Sequence, residues 1–175
     1  MDNNDNLIVQ LKGKNETFQK EYVNEAEIHI RGQSPKVAVL TCADSRVIPE
    51  FIFQAKVGEL FVVRIAGNIA IDETVVESLE YAVDHLDVSH LIILAHTRCG
   101  AVKAAEEAKD TESLLLSEIQ KSFPSQENHI LANLYRQLRL LPQRSEVIKK
   151  AMENDSLQLK GAIYYLEDGH VEFKD

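Results

Sequence analysis

The sequence predicts an α/β fold. A mostly parallel central β-sheet, about four parallel strands plus an antiparallel C-terminal edge strand, is flanked by helices and preceded by an N-terminal helical arm. Three observations predict it. Lys36–Thr41, Glu59–Ile65 and Ser89–Ala95 are nearly continuous apolar runs rather than alternating ones, as strands buried on both faces are. An amphipathic segment, Asp72–His85, separates the second run from the third. Strand, helix, strand in that order implies parallel strands with helices on the faces. Near the end, Asp168-Gly169 is a hairpin signal between Lys160–Leu166 and Val171–Phe173, so the last strand returns antiparallel.

The elements follow in order. Asn15–Ile30 is polar with Phe18, Tyr22, Ala26 and Ile30 four apart, close to one helical stripe. Arg31-Gly-Gln-Ser-Pro35 ends that helix. Strand Lys36–Thr41 runs straight into Cys42-Ala-Asp-Ser-Arg46, and strand Glu59–Ile65 is closed by Gly67-Asn68. In Asp72–His85, Asp72 suits the N-cap, and Val75, Val76, Leu79, Ala82, Val83 and Leu86 make the inner face. Strand Ser89–Ala95 runs into His96-Thr-Arg-Cys99-Gly100, and a helix over Ala101–Lys109 follows. Thr111–Asn154 reads as two or three helices, broken near Pro124 and near Pro142, unless Pro142 sits in the first turn of the last helix.

Composition bounds the function. The chain has 175 residues, 45% hydrophobic and 27% charged, which is globular composition and one domain's worth of sequence. Residues 1–175 are expected to form a single domain, with 1–31 as its arm. Nineteen Lys and Arg face 28 Asp and Glu, for a net charge of −9. That balance argues against nucleic acid as a partner. The longest aliphatic run, Leu91–Ala95, is far short of the roughly 20 residues of a membrane helix. The acidic start Met1-Asp-Asn-Asn-Asp5 does not read as a signal peptide, so a cytoplasmic protein is expected.

Two cysteines do not make a disulfide scaffold. Cys42 and Cys99 each follow a buried strand, where ligands bind in parallel sheets. His96 and Cys99 form an H-x-x-C pair, which one turn brings to one side. Two thiolates and an imidazole suit Zn²⁺, and three protein ligands leave a fourth position open, as in catalytic sites. Asp44 is the fourth candidate, either binding the metal or standing just outside it. In extended backbone, 42, 44 and 46 point the same way, so Arg46 can grip Asp44 bidentately.

Cys42-Ala-Asp-Ser-Arg46 together with His96-Thr-Arg-Cys99-Gly100 resembles the β-class carbonic anhydrases. Gly32-Gln-Ser-Pro35, Gly58-Glu-Leu-Phe-Val-Val-Arg64 and Ala66-Gly-Asn68 are similar too. The resemblance runs from about Gly32 to Val102 and resumes after Lys160. It implies zinc-dependent reversible hydration of CO2 to bicarbonate and a proton, through a hydroxide nucleophile oriented by an Asp–Arg dyad. Cys42, His96 and Cys99 match the zinc ligands, one ion per chain. Asp44 and Arg46 match the catalytic dyad. Gln33 and the backbone N–H of Gly100 match substrate-binding groups. A homodimer or tetramer is implied, with the N-terminal helix over the neighbour.

Three positions depart from the family pattern: Ala95 stands for the usual Gly, Ile65 for an Asn, and Val39 where some bacterial members carry Trp. The Ala95 methyl is expected to crowd the site, and no bicarbonate pocket at Val39 is expected. Phe51, Phe53, Val63 and Val102 are candidate walls for CO2, although core packing accounts for each. His85, His90 and His129 are candidate proton shuttles beside the simpler reading of ordinary histidines. Rival functions are a carbon disulfide or carbonyl sulfide hydrolase on the same scaffold, a non-catalytic zinc domain closed by Asp44, and a thiol redox protein. The absence of a C-x-x-C pair counts against the last.

Overall fold

The computed structural model describes residues 3–22, 30, 32–125 and 127–174. Contacts divide the chain into two units, Met1–Gln33 and Ser34–Asp175. The first contains helix α1, Asn3–Tyr22, which begins earlier than the expected Asn15. Phe18 and Tyr22 of the expected stripe pack on one another, ring centroids 5.3 Å apart. Ile30 lies in a turn, and Ala26 is outside the described residues.

The second unit holds a five-stranded sheet. β1 is Val37–Thr41, β2 Leu60–Arg64, β3 His90–His96, β4 Gln158–Tyr164 and β5 Val171–Lys174. Their order is β2-β1-β3-β4-β5. The first four are parallel and β5 is antiparallel to β4, as the sequence predicts. β1 lies between two parallel neighbours and is buried from Ala38 onward, which explains its unbroken apolar run. The edge strand β2 is only half-buried.

The helices that cover the sheet are α2 Pro49–Ile52, α3 Glu73–His85, α4 Gly100–Glu107, α5 Leu114–Gln120, α6 His129–Arg144 and α7 Glu146–Glu153. Asp72 caps α3 as predicted, its carboxylate accepting the Thr74 N–H at 2.9 Å. Val76, Leu79 and Ala82 of its inner face are buried. They join Ala38, Leu40, Leu91 and Ile93 of the central strands, and Leu134, Leu141 and Ile148 of α6 and α7, in the main core. At β4, Gly161 lets α6 approach: a Cβ there would lie 2.7 Å from Leu138 Cδ1.

One boundary differs from expectation. Pro142 neither breaks a helix nor begins one; it lies in the last turn of α6. Ser145 makes the break instead. Its backbone is extended and its hydroxyl accepts the Ile148 N–H at 3.0 Å, capping α7. A proline in a last turn forfeits a hydrogen bond near an end where carbonyls lack partners anyway. The expected break near Pro124 is present, as a 3₁₀ turn over Phe123–Ser125.

Candidate metal centre

Parallel pairing brings the two motifs together. Thr41 pairs with Leu94 on one side and Arg64 on the other. Cys42, one residue past Thr41, is therefore level with the end of β3, where His96 is the last strand residue. The Thr41 hydroxyl donates to the Leu94 carbonyl at 2.9 Å, tying the two strand ends. Cys99 is the N-cap of α4, and its thiol faces Cys42.

The ligating atoms of Cys42, His96 and Cys99 all lie within 4.8 Å of one another, and all three residues are buried. The two sulfurs are 3.9 Å apart, far beyond the roughly 2 Å of a disulfide, and both thiols are free. His96 Nδ1 faces the Thr97 carbonyl at 2.9 Å. A carbonyl only accepts, so Nδ1 carries the proton and the Nε2 lone pair is left. Nε2 is buried without a hydrogen-bond partner.

The thiols oppose each other electrostatically. Cys42 is shifted down, foremost because Cys99 donates a hydrogen bond to its sulfur; the Gly67 N–H donates to it as well, at 3.3 Å. Cys99 is pushed up, because its proton is held by Cys42 and its own ionisation would bury a second negative charge. A dication removes the conflict. Two thiolates and one neutral imidazole, with an otherwise orphaned nitrogen, are a donor set that fits zinc.

Asp44 stands at the rim of this cluster, Oδ2 3.9 Å from His96 Nε2. The dyad forms by a turn rather than by the extended alternation expected from sequence. Val47 N–H closes the turn onto the Asp44 carbonyl at 3.0 Å. Asp44 Oδ1 accepts from the Arg46 backbone N–H at 3.0 Å and from Nε at 2.9 Å, and Oδ2 accepts from Nη2 at 2.8 Å. This grip holds the Asp44 carboxyl well below the usual carboxylate range.

The remaining expectations divide. Gly100 opens α4 and is exposed. Gln33 lies in irregular backbone at the end of the first unit and is exposed. Val102 packs with Cys42, Cys99, Ile69, Ala105 and Ile119, against which Ile65 also lies. Of the other candidate walls, Phe51 is exposed, Phe53 packs beside Val39 and Val47, and Val63 belongs to the main core. Ala95 is buried and packs in the main core. His85 lies near Asp84, His90 meets Ser89, and His129 pairs with Glu106 while stacking on Phe123.

Sequence reasoning missed two supports. Arg64 Nη2 donates to the Asp44 carbonyl at 2.8 Å; its signal was a lone arginine ending an apolar strand. Gly67 supplies the N–H to Cys42 from a left-handed backbone, φ 70°; its signal was the Gly-Asn pair after β2.

The family model described as carbonic anhydrase matches residues 37–171. Carbonic anhydrase 2 of Mycobacterium tuberculosis is 33% identical, over 82% of this chain and 76% of its own. The carbonic anhydrase of Mycolicibacterium smegmatis is 34% identical, over 82% and 77%. Among solved structures, the β-carbonic anhydrase CcaA superposes with a TM-score of 0.80 at 28% identity, covering 98% of this chain and 87% of that one.

Proposed function

Because the chain belongs to the carbonic anhydrase family and is an enzyme of its β class, we propose that Cys42, His96 and Cys99 hold one zinc ion and that Asp44 and Arg46 orient the nucleophile for CO2 hydration. The observation that carries this is the buried cluster of two thiols and an unpartnered imidazole nitrogen at the sheet's carboxyl edge. Zinc held there supplies a Lewis acid that brings the pKa of water from 15.7 toward about 7, making hydroxide available.

The chain's own residues do the rest. Asp44 Oδ2 has one Arg46 bond and a lone pair to spare; it accepts the hydrogen bond of the attacking hydroxide and aims the oxygen's lone pair at carbon. Hydroxide adds to CO2, one C–O π bond opens, and bicarbonate forms; the proton left from water departs to solvent or buffer. Arg46 keeps Asp44 ionised and turned from the ligands, and Arg64 pins the turn that carries both. The backbone N–H of Gly100, the first residue of α4, and Gln33 are the substrate-binding groups in this reading. Ile65, Val102 and Ile119 give apolar CO2 an apolar neighbourhood.

Two broader expectations extend it. Residues 1–31 serve as the arm of a single domain, and the enzyme works as a homodimer or tetramer. No described helix is long and apolar enough to cross a membrane. The carbon disulfide and carbonyl sulfide alternative has no observation in its favour. A site closed by Asp44 is disfavoured by the hold of Arg46 on both carboxylate oxygens.

The test pairs zinc content with hydration in wild type and His96→Ala. One zinc per chain and fast hydration are expected of wild type, and loss of both in the variant. Full zinc content in His96→Ala would contradict the ligand assignment.

A further inference from the structure

We propose that Glu167, in the turn between β4 and β5, is a positioning residue that sets the His96–Cys99 turn through Thr97 and Arg98; this rests on the metal-centre reading above. Two residues separate the ligands His96 and Cys99, and Glu167 binds both. Its Oε2 accepts the Thr97 hydroxyl proton at 2.7 Å, and its Oε1 accepts from Arg98 Nε at 2.8 Å.

The contact is part of a clamp. The Thr97 N–H donates to the Tyr164 carbonyl at 3.0 Å, and the Thr97 hydroxyl oxygen accepts the Leu166 N–H at 3.0 Å. With its oxygen taken by Leu166, the hydroxyl has its one proton to give, and Glu167 receives it. The hairpin is itself closed by Tyr165 N–H to the His170 carbonyl at 2.8 Å and Gly169 N–H to the Tyr165 carbonyl at 2.9 Å.

What the clamp holds bears on the metal centre. The Thr97 carbonyl accepts the His96 Nδ1 proton and so fixes which ring nitrogen faces the thiols. Partners of that kind orient a ligating histidine and raise its basicity. The Arg98 carbonyl lies 3.4 Å from Arg46 Nη2, linking the same turn to the dyad. Arg98 adopts φ 53°, a left-handed conformation that a non-glycine residue keeps only when its surroundings hold it. An exposed Arg–Glu pair alone is worth little. Here one carboxylate grips consecutive residues, one of them by a charge-assisted hydroxyl bond.

The experiment is zinc competition against a chromophoric chelator, with cobalt(II) absorption as a second readout. Wild type, Glu167→Ala, Glu167→Gln, Thr97→Val and the Glu167→Ala/Thr97→Val double variant are compared. Glu167 is exposed, so its substitutions leave the core intact. Expected are about tenfold weaker zinc binding in Glu167→Ala, the low end of the range for such partners, a smaller loss in Glu167→Gln, and an altered cobalt d–d spectrum in Glu167→Ala. In the double variant the losses should combine to less than their product, because both parents remove the shared Thr97–Glu167 bond. Wild-type affinity and spectrum in Glu167→Ala overturn the inference, whatever happens to the melting temperature. So do losses that multiply in full in the double variant, because they leave nothing to the bond that Glu167 and Thr97 share. Wild type that takes up no zinc overturns the metal-centre reading and this inference with it.

Discussion

Asp44 has two possible partners, Arg46 and a metal ion, and the geometry gives both of its oxygens to Arg46. Its proposed work is therefore to orient rather than to ligate. Asp44→Ala is expected to lower kcat by about 10²-fold or more, in the range of a lost proton-handling group, with one zinc per chain retained. Stopped-flow hydration beside metal analysis checks this, and loss of the zinc would make Asp44 a ligand. The paired thiols predict a pH dependence of binding. Cys99 is shifted up and keeps its proton at neutral pH in the metal-free protein, so zinc must displace that proton. Zinc affinity is expected to rise about tenfold per pH unit between 6 and 8, measured by competition in buffered series. Gly67 is constrained twice: φ is 70°, and a Cβ would lie 2.7 Å from Ile119 Cδ1. Gly67→Ala should cost about 1–3 kcal/mol by denaturant unfolding.

Elements are held by polar ties as well as by the core. Glu118 on α5 is buried between Lys121, just past the end of α5, and Arg136 on α6, at 2.8 and 2.6 Å. Burial alone would raise its pKa, but the two cations outweigh burial and hold it below the ordinary value. A depressed carboxylate stabilises above its unfolded pKa, about 4.3, and the contribution fades as pH falls through the folded value. Glu118→Gln is therefore expected to cost about 3 kcal/mol at pH 7, with the gap to wild type narrowing below pH 4. Urea midpoints at pH 7 and pH 3 measure it, and a gap that widens in acid would contradict the sign. At this scale the sequence was readable where signals are local. Apolar runs gave four strands to within two residues, and Asp72 marked its helix start. The Asp44–Arg46 pair was expected but its turn was not, because spacing alone does not distinguish an extended segment from a turn. Pro142 misled because Ser145, a better breaker, lies three residues on. The grip of Glu167 on Thr97 and Arg98 spans 69–70 residues, and no local pattern reports such a contact.

For the whole molecule, the sheet order decides the chemistry. β1 and β3 are neighbours and parallel, so motifs 57 residues apart meet at one edge. Under the proposed zinc assignment, folding is thereby coupled to the metal. At zinc concentrations about 1,000-fold above Kd, binding adds about 4 kcal/mol. In a chain this long that corresponds to roughly 8–16 °C in Tm. Chelation should lower Tm by about that much and zinc should restore it, as calorimetry would show. The same charge balance shapes activity. Two thiolates cancel the charge of a zinc dication, so water there is less acidic than beside three neutral imidazoles, and hydration should rise toward alkaline pH. The most direct test is stopped-flow CO2 hydration on zinc-quantified protein from pH 6.5 to 9. Turnover that climbs with pH at one zinc per chain is the predicted result; one zinc per chain with no hydration at any pH would contradict the account.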